Sequence, residues 1–496
     1  MSDRMYSYAA LAIIAVAAVL RFWDLGGPSL WFDEAVYAIN SRGTFDDVLA
    51  ATRSANSSPL LLPMLLNLLE RTVGLSEFTS RLPAALFGIA AVFVMTRLKD
   101  VGVARPVALV SAALVAVAQM QIIYSQEVRE YGLSILMSSI LLWAMFHALK
   151  TGTVRVLLIA AVITPWASYG PCFAVLAVLT TLVFLRVIGR NELPYAKFAL
   201  VFAAFLLSAA ASFYAVAQYQ LGTAKQWYLV EHYLSLSGMG LPEWLVTNSG
   251  GILLASVPGL MAVVLLPLVM LVFLASYLKK PLALLDEPGI IAPVVLIGGM
   301  ILAGLLELYP YGSPRHSVFI GPFICLMFGV GVVGFVSSLG PALRLPVAAG
   351  IAAVVSVSAV LTFLAIPIAP GLHPALAKVG KVEIYGEYED NRALMAYARQ
   401  HADKVMYGTP GASPAHTYYG ADLDMIIATR DLIGQHDALA QEIIGKSEGR
   451  PVVVVMSNIP DGHDSALVSA IEAAGASVTE PFQAKRVTGF VVTPAQ

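Results

Sequence analysis

Charge is what this chain has least of. Of its 496 residues, 12% are Asp, Glu, Lys or Arg and 58% are apolar, with a mean hydropathy of +0.77. Soluble domains carry about 25% charged and about 45–50% apolar residues, so an ordinary soluble enzyme is excluded. The formal net charge is −2, from 30 basic and 32 acidic residues, and the basic footprint of a nucleic-acid binder is missing. Cysteine is nearly absent too. Cys172 and Cys325 both fall inside long apolar runs, which is too few for a disulfide framework or a cysteine zinc site. There is no glycine-rich phosphate loop either: Gly408-Thr409-Pro410-Gly411 does not match a dinucleotide fingerprint.

The few charges are unevenly spread. Residues 1–370 hold 37 of them, whereas residues 371–496 hold 25 in 126 positions, which sets a boundary at 370/371 between a membrane domain and a soluble one. A helix needs about 20 apolar residues to cross the hydrocarbon. That ruler finds eleven candidate spans, near 6–23, 79–98, 104–124, 130–149, 154–170, 171–188, 196–219, 251–278, 289–308, 316–338 and 345–368. The first is short and follows Arg4, as a signal peptide would. No small-residue cleavage site follows it, and Arg21-Phe22-Trp23-Asp24 looks like an interfacial anchor, so it reads as a retained helix.

Short-loop cations set the orientation. With the N-terminus inside, Arg97, Lys99, Arg105, Lys150, Arg155, Arg186, Arg190, Lys197, Lys279, Lys280 and Arg344 fall on the cytoplasmic side, and only Arg129, Lys225 and Arg315 on the other. The C-terminal domain, residues 371–496, is then periplasmic. Its pattern from about 389 alternates: helices near 390–401, 414–419, 431–444 and 464–474, strands near 404–408, 424–428, 451–457, 476–482 and 487–493. The unbroken Val run at 451–457 reads as a buried strand, and the alternation as a small α/β domain with a structural or acceptor-docking role. The fold class is thus a mainly α polytopic membrane protein carrying a C-terminal soluble α/β domain.

The chemistry-bearing residues gather in the outward loops. Loop 24–78 is too long for a mere connector and holds Trp31-Phe32-Asp33-Glu34-Ala35, followed by an amphipathic stretch at 60–73. The adjacent carboxylates Asp33 and Glu34 can supply a general base and a partner or metal ligand, although a solvated loop pair is the commoner meaning of such a dipeptide. A second junction reads Tyr124-Ser125-Gln126-Glu127-Val128-Arg129-Glu130-Tyr131. Arg129 there can hold an anionic head group bidentately or serve as an interfacial anchor, and spacing of two gives Glu127 and Arg129 no automatic ion pair. A third loop, 222–250, carries Lys225, Trp227, Glu231, His232 and Trp244. A fourth contains Tyr309, Tyr311, Pro314, Arg315 and His316 in a Pro/Gly-rich run that suits a broken helix beside a cavity. His232 alone is more often structural. The coincidence of acids, guanidinium groups and His on one face carries more than any single residue does.

The order of these motifs resembles the polytopic GT-C glycosyltransferases, in the family 39-like branch of the protein O-mannosyltransferases and the lipid A aminoarabinose transferase. The resemblance covers residues 1–340. It rests on Trp31-Phe32-Asp33-Glu34-Ala35, Arg81-Leu82-Pro83 opening the second span, the segment 124–131, and Pro314-Arg315-His316. Two departures stand out: many relatives have His-Pro-Pro-Leu where this chain has Ser57-Ser58-Pro59-Leu60, and Arg-Tyr where it has Arg315-His316. The resemblance implies a GT-C fold of about eleven spans and transfer of a hexosyl or pentosyl group, with inversion, from a polyprenyl-phosphate donor. The acceptor is a lipid, glycan or protein at the periplasmic face of a bacterial inner membrane. It makes Asp33 the general base and Glu34 its orienting partner. Arg129, Arg315 and His316 are placed at the donor's lipid phosphate, and Glu127, Tyr131, Tyr309, Tyr311 and His232 around the pocket. No cofactor is required; a divalent cation, magnesium or manganese, is optional at Asp33, Glu34 and Glu127.

Two rival readings share the architecture: an oligosaccharide or polymer transferase, and a flippase or transporter of lipid-linked sugar. A transporter more often places ionisable groups at mid-span and breaks helices in paired repeats. Neither feature is found here.

Overall fold

In a computed structural model the described residues are 1–55, 58–221, 230–256, 287–368, 389–428, 435–458, 462–484 and 486–495. The expected boundary at 370/371, most of the expected span at 251–278, and Ser57, Lys225, Trp227, Lys279 and Lys280 lie outside them. The chain divides into two compact units. One takes residues 1–23, 49–65 and 81–384; the other takes 24–48, 66–80 and 385–496.

Helix length and apolar content define the first unit. Among the described residues, six helical stretches are long and apolar enough to cross a membrane: Asp3–Phe22, Glu77–Val101, Tyr131–Thr151, Tyr195–Ala215, Pro288–Leu305 and Arg315–Ser338. Shorter apolar helices occupy Arg105–Val117, Arg155–Ala167, Pro171–Val187 and Pro341–Val357. Ten of the eleven expected spans thus coincide with an apolar helix. We label the helices used below α1 (Asp3–Phe22), α2 (Phe32–Asn40), α3 (Phe45–Ala55), α4 (Leu61–Thr72), α5 (Glu77–Thr96), α6 (Arg105–Val117), α7 (Gln119–Ile123), α8 (Tyr131–Thr151), α9 (Arg155–Ala167), α10 (Pro171–Val187) and α11 (Tyr195–Ala215). Further along are α12 (Leu241–Ser256), α13 (Pro288–Leu305), α14 (Gly321–Ser338) and α15 (Pro341–Ile368). α9 and α10 are separate helices, with Ser168 extended between them and Pro171 at the first turn of α10, where proline loses no intrahelical bond.

One expected span is interrupted. Where a single helix over 104–124 is expected, α6 stops at Val117, Ala118 is extended (φ −65°, ψ 125°), and α7 restarts for five residues. Arg21 is the cause. It is fully buried, and its guanidinium donates to the carbonyls of Ala116 (3.0 Å) and Val115 (3.1 Å). Those are carbonyls that a broken helix leaves without intrahelical partners. Arg21 is therefore an internal brace rather than the interfacial anchor its position suggests. Gly88 on α5 makes room for it: a Cβ there would fall 2.6 Å from Arg21 Nε and 2.2 Å from Ser125 Oγ.

In the second unit, α16 (Asn391–Gln400), α17 (Ser413–Tyr419), α18 (His436–Ser447) and α19 (His463–Ala473) flank a five-stranded sheet. The strands are β1 (Val405–Gly408), β2 (Met425–Ile427), β3 (Val452–Ser457), β4 (Ser477–Ala484) and β5 (Val487–Thr493), in the order β2-β1-β3-β5-β4. β1 pairs parallel with β2 and β3, while β5 runs antiparallel to β3 and β4. β3 is buried along its whole length, which is why it reads as an unbroken apolar run. Its alternate residues feed two cores: Val452, Val454 and Met456 pack with Leu439, Ile443, Leu467 and Ile471 of α18 and α19, and Val453 and Val455 with Leu394, Ala398 and Ala415 of α16 and α17.

Candidate functional site

In the first unit, the segment between α7 and α8 carries a run of polar residues that are all buried. Gln126 starts it. Its amide donates to the carbonyls of Leu20, Arg21 and Trp23 at 3.3, 3.2 and 2.9 Å, closing the C-terminal end of α1 and fixing the start of the run against it. The chain then turns tightly, Arg129 N donating to Glu127 O at 2.8 Å. Arg129 and Glu130 are each 7% exposed and Glu127 3%. Arg129 forms an ion pair with its neighbour, its Nε standing 3.9 Å from Glu130 Oε2. Arg129 Nη2 also donates to the Tyr131 hydroxyl at 3.3 Å, and its Cζ stands 5.4 Å from the Tyr131 ring centroid.

Tyr131 begins α8, and the close seating of that helix depends on Gly132, where a Cβ would come within 2.6 Å of the Ala84 carbonyl oxygen. The Tyr131 ring lies 6.4 Å from that of His316, which brings the segment carrying Arg315 to the segment carrying Arg129. His316 closes the group. Its ring lies 6.4 Å from those of Tyr131 and Tyr309, Ser313 Oγ is 2.9 Å from its Nδ1, and its carbonyl accepts from Tyr309 Oη at 3.2 Å. Burial pushes the Tyr309 hydroxyl well above the ordinary tyrosine range, and the Glu130 carboxylate pushes the same way. Tyr309 is thus a neutral hydrogen-bonding wall.

Tyr311 and His232 face each other next to this group. His232 Nδ1 stands 2.8 Å from Asn248 Oδ1 and 3.2 Å from the Tyr311 carbonyl oxygen. Asn248 Nδ2 donates to the Trp244 carbonyl at 3.0 Å, which fixes its oxygen toward the imidazole, so Nδ1 carries the ring proton. The Tyr311 hydroxyl reaches Ser249 Oγ at 2.8 Å and its ring packs on Trp244 at 5.3 Å. Arg129, Tyr131, Tyr309 and His316 therefore assemble, with Glu127 and Arg315 next to them along the chain and His232 and Tyr311 bracing an adjoining turn.

Asp33 and Glu34 belong to the second unit, in the first turn of α2, where carboxylates complement the helix dipole. The two diverge. Glu34 is buried and turns back to accept the Trp31 N–H at 3.4 Å, while Asp33 stays half-buried. The C-terminal domain grips this helix start. Leu30 N donates to Tyr419 Oη at 2.6 Å, Asn391 Nδ2 to Leu30 O at 3.0 Å, Ser29 Oγ to Glu389 O at 3.0 Å, and Phe32 N to Glu389 Oε2 at 3.4 Å. Glu77 adds an ion pair with Arg392 at 2.7 Å and accepts from Tyr419 Oη at 3.2 Å.

Among the described residues, no three His, Cys, Asp or Glu side chains gather so as to hold a metal ion. Sequence reasoning passed over Glu130 and Glu389. Glu130 stood inside the quoted 124–131 motif, but nothing in the spacing ranked it above Glu127; Glu389 carries no local signal at all.

An apolar helical domain with a charged group at its helix ends and an appended mixed sheet define a polytopic membrane protein of the GT-C fold. The chain is similar over 97% of its length to ArnT from Cupriavidus metallidurans bound to undecaprenyl phosphate, covering 97% of that chain at 15% identity and a TM-score of 0.57. The apo state of that ArnT gives 14% identity over 97% of each chain and a TM-score of 0.52. An Archaeoglobus fulgidus oligosaccharyltransferase in the apo form is similar over 91% of this chain and 70% of its own, at 12% identity and a TM-score of 0.50. No family model matches the chain, and no curated protein matches it by sequence.

Proposed function

We propose that this chain is a membrane glycosyltransferase that moves a sugar from a polyprenyl-phosphate donor to an acceptor hydroxyl at the periplasmic face of a bacterial inner membrane. The observation that carries the reading is the buried Arg129–Glu130–Tyr131 group, with His316 and its neighbour Arg315 packed beside it. Two arginines on adjoining segments of an apolar domain suit a phosphate held by its lipid tail in the bilayer. The likeness to ArnT bound to undecaprenyl phosphate supports the same donor class. The cationic bias of the short loops supports a cytoplasmic N-terminus.

In this reading Asp33 takes the acceptor proton, and the acceptor oxygen bonds the anomeric carbon from the side opposite the phosphate. The bond from that carbon to the phosphate oxygen breaks with its electron pair, polyprenyl phosphate leaves, and the configuration inverts. Arg129 and Arg315 balance the charge on the departing phosphate, with His316 beside them. Tyr131, Tyr309 and Glu127 shape the pocket, and His232 and Tyr311 hold its rim. Each charge-assisted contact contributes about 1.5–3 kcal/mol, or about one to two decades of rate. The test is a transfer assay on the full chain in proteoliposomes supplied with a polyprenyl-phosphate hexose or pentose. Asp33→Asn is expected to fold and lose nearly all transfer; turnover equal to wild type would overturn the base assignment.

A further inference from the structure

We infer that Glu389, in the C-terminal domain, is a positioning residue that sets the N-terminal turn of α2 and thereby the aim of Asp33; this rests on Asp33 being the base. The first N–H groups of a helix have no intrahelical acceptor, and Ser, Thr, Asp or Asn at the cap position usually supplies one. The cap position of α2 is Trp31, and an indole is a donor only. Two carboxylates replace it: Glu34, from the helix's own first turn, for the Trp31 N–H, and Glu389, from far along the chain, for the N–H of Phe32, the residue immediately before Asp33.

Glu389 is itself immobilised. It is 3% exposed, its carbonyl accepts the Ser29 hydroxyl at 3.0 Å, and its neighbour Asn391 is fixed by Ser457 Oγ at 2.6 Å and by Ser29 Oγ at 3.1 Å. A carboxyl group this deep is costly to bury. Burial raises its pKa, and the Phe32 N–H and Arg486 pull it part of the way back, so the helix start that Glu389 caps also steadies its charge. A chain of fixed contacts therefore runs from β3 through Asn391 and Glu389 to the turn carrying Asp33. It gives the C-terminal domain a part in catalysis without touching substrate.

The test measures kcat and donor KM of the full chain in proteoliposomes for Glu389→Gln, Glu389→Ala, Asp33→Asn and the Asp33→Asn/Glu389→Gln double variant. Glu389→Gln is expected to lower kcat about 10-fold and Glu389→Ala about 100-fold, with donor KM unchanged. A loss in kcat with donor KM unchanged is a split that a general loss of fold would not produce. The double variant should be no slower than Asp33→Asn alone. If Asp33→Asn is inactive while Glu389→Gln keeps wild-type kcat, the positioning role is overturned and the base assignment stands. If Asp33→Asn turns over like wild type, both fall. Should Glu389→Ala fail to fold, Glu389→Gln decides alone.

Discussion

Arg129 Nε lies 3.9 Å from Glu130 Oε2, and both side chains are less than a tenth exposed. Removing one partner of such a buried pair costs about 3–5 kcal/mol, because the remaining charge loses its compensation. Arg129→Ala should therefore lower the thermal midpoint in detergent as well as abolish transfer. Arg129→Lys keeps the charge but loses the planar fork. It should fold near normally and transfer about 10- to 100-fold more slowly. Equal stability of wild type and Arg129→Ala would show that the pair is not a buried one.

Arg315 is only half-buried and begins a span, so its loss should spare the fold. Arg315→Ala should weaken binding of the donor lipid about 10-fold or more, measured by titrating a polyprenyl phosphate against the purified protein. Unchanged lipid affinity would reduce Arg315 to a helix-end residue.

Close packing against Arg21 gives a third outcome. A Cβ at position 88 would meet Ser125 Oγ and Arg21 Nε inside contact distance. Both atoms belong to side chains already bonded to backbone, Ser125 to the Gln121 carbonyl and Arg21 to the Ala116 carbonyl. Gly88→Ala should therefore destabilise the chain by about 1–3 kcal/mol, seen as a lower unfolding midpoint.

The packing around Arg21 also marks where sequence reading ends. The spans follow from apolar length alone, and the Val run of β3 follows from its burial on both faces; both are local patterns and both were readable. The break at Ala118 was not, because alanine is a good helix former and the interruption is imposed by a side chain almost a hundred residues earlier. Arg21 looked like an anchor because snorkelling and internal bracing leave the same mark, a cation at the end of an apolar run. The 124–131 motif was readable as polar residues at a span end, yet its ion pair was not, since a tight turn rather than a helix sets the spacing. The binding of residues 24–48 to the C-terminal domain depends on Glu389, Asn391 and Tyr419, more than 350 positions away, and no local pattern announces it.

Glu389 also makes a statement about pH. Burial raises its folded-state value above the ordinary carboxylate range, whereas unfolding returns it to about 4.3. Between those two values the folded chain binds more protons than the unfolded one, so stability falls as pH rises through that window and levels off above it. Glu389→Gln removes that dependence. Unfolding midpoints measured from pH 4 to 8 should fall less steeply with pH in the variant than in wild type; identical slopes would contradict a buried, titrating Glu389.

The central claim is that a polyprenyl-phosphate sugar is the donor. Mass spectrometry of lipids that co-purify with the full chain in mild detergent tests it most directly. The account expects a polyprenyl phosphate, bare or carrying one sugar, in wild type, depleted in Arg129→Lys and Arg315→Ala. A single sugar favours monosaccharide transfer, and a longer glycan on the same lipid favours the oligosaccharide reading. Only bulk phospholipid, in equal amounts from wild type and both variants, would contradict the account.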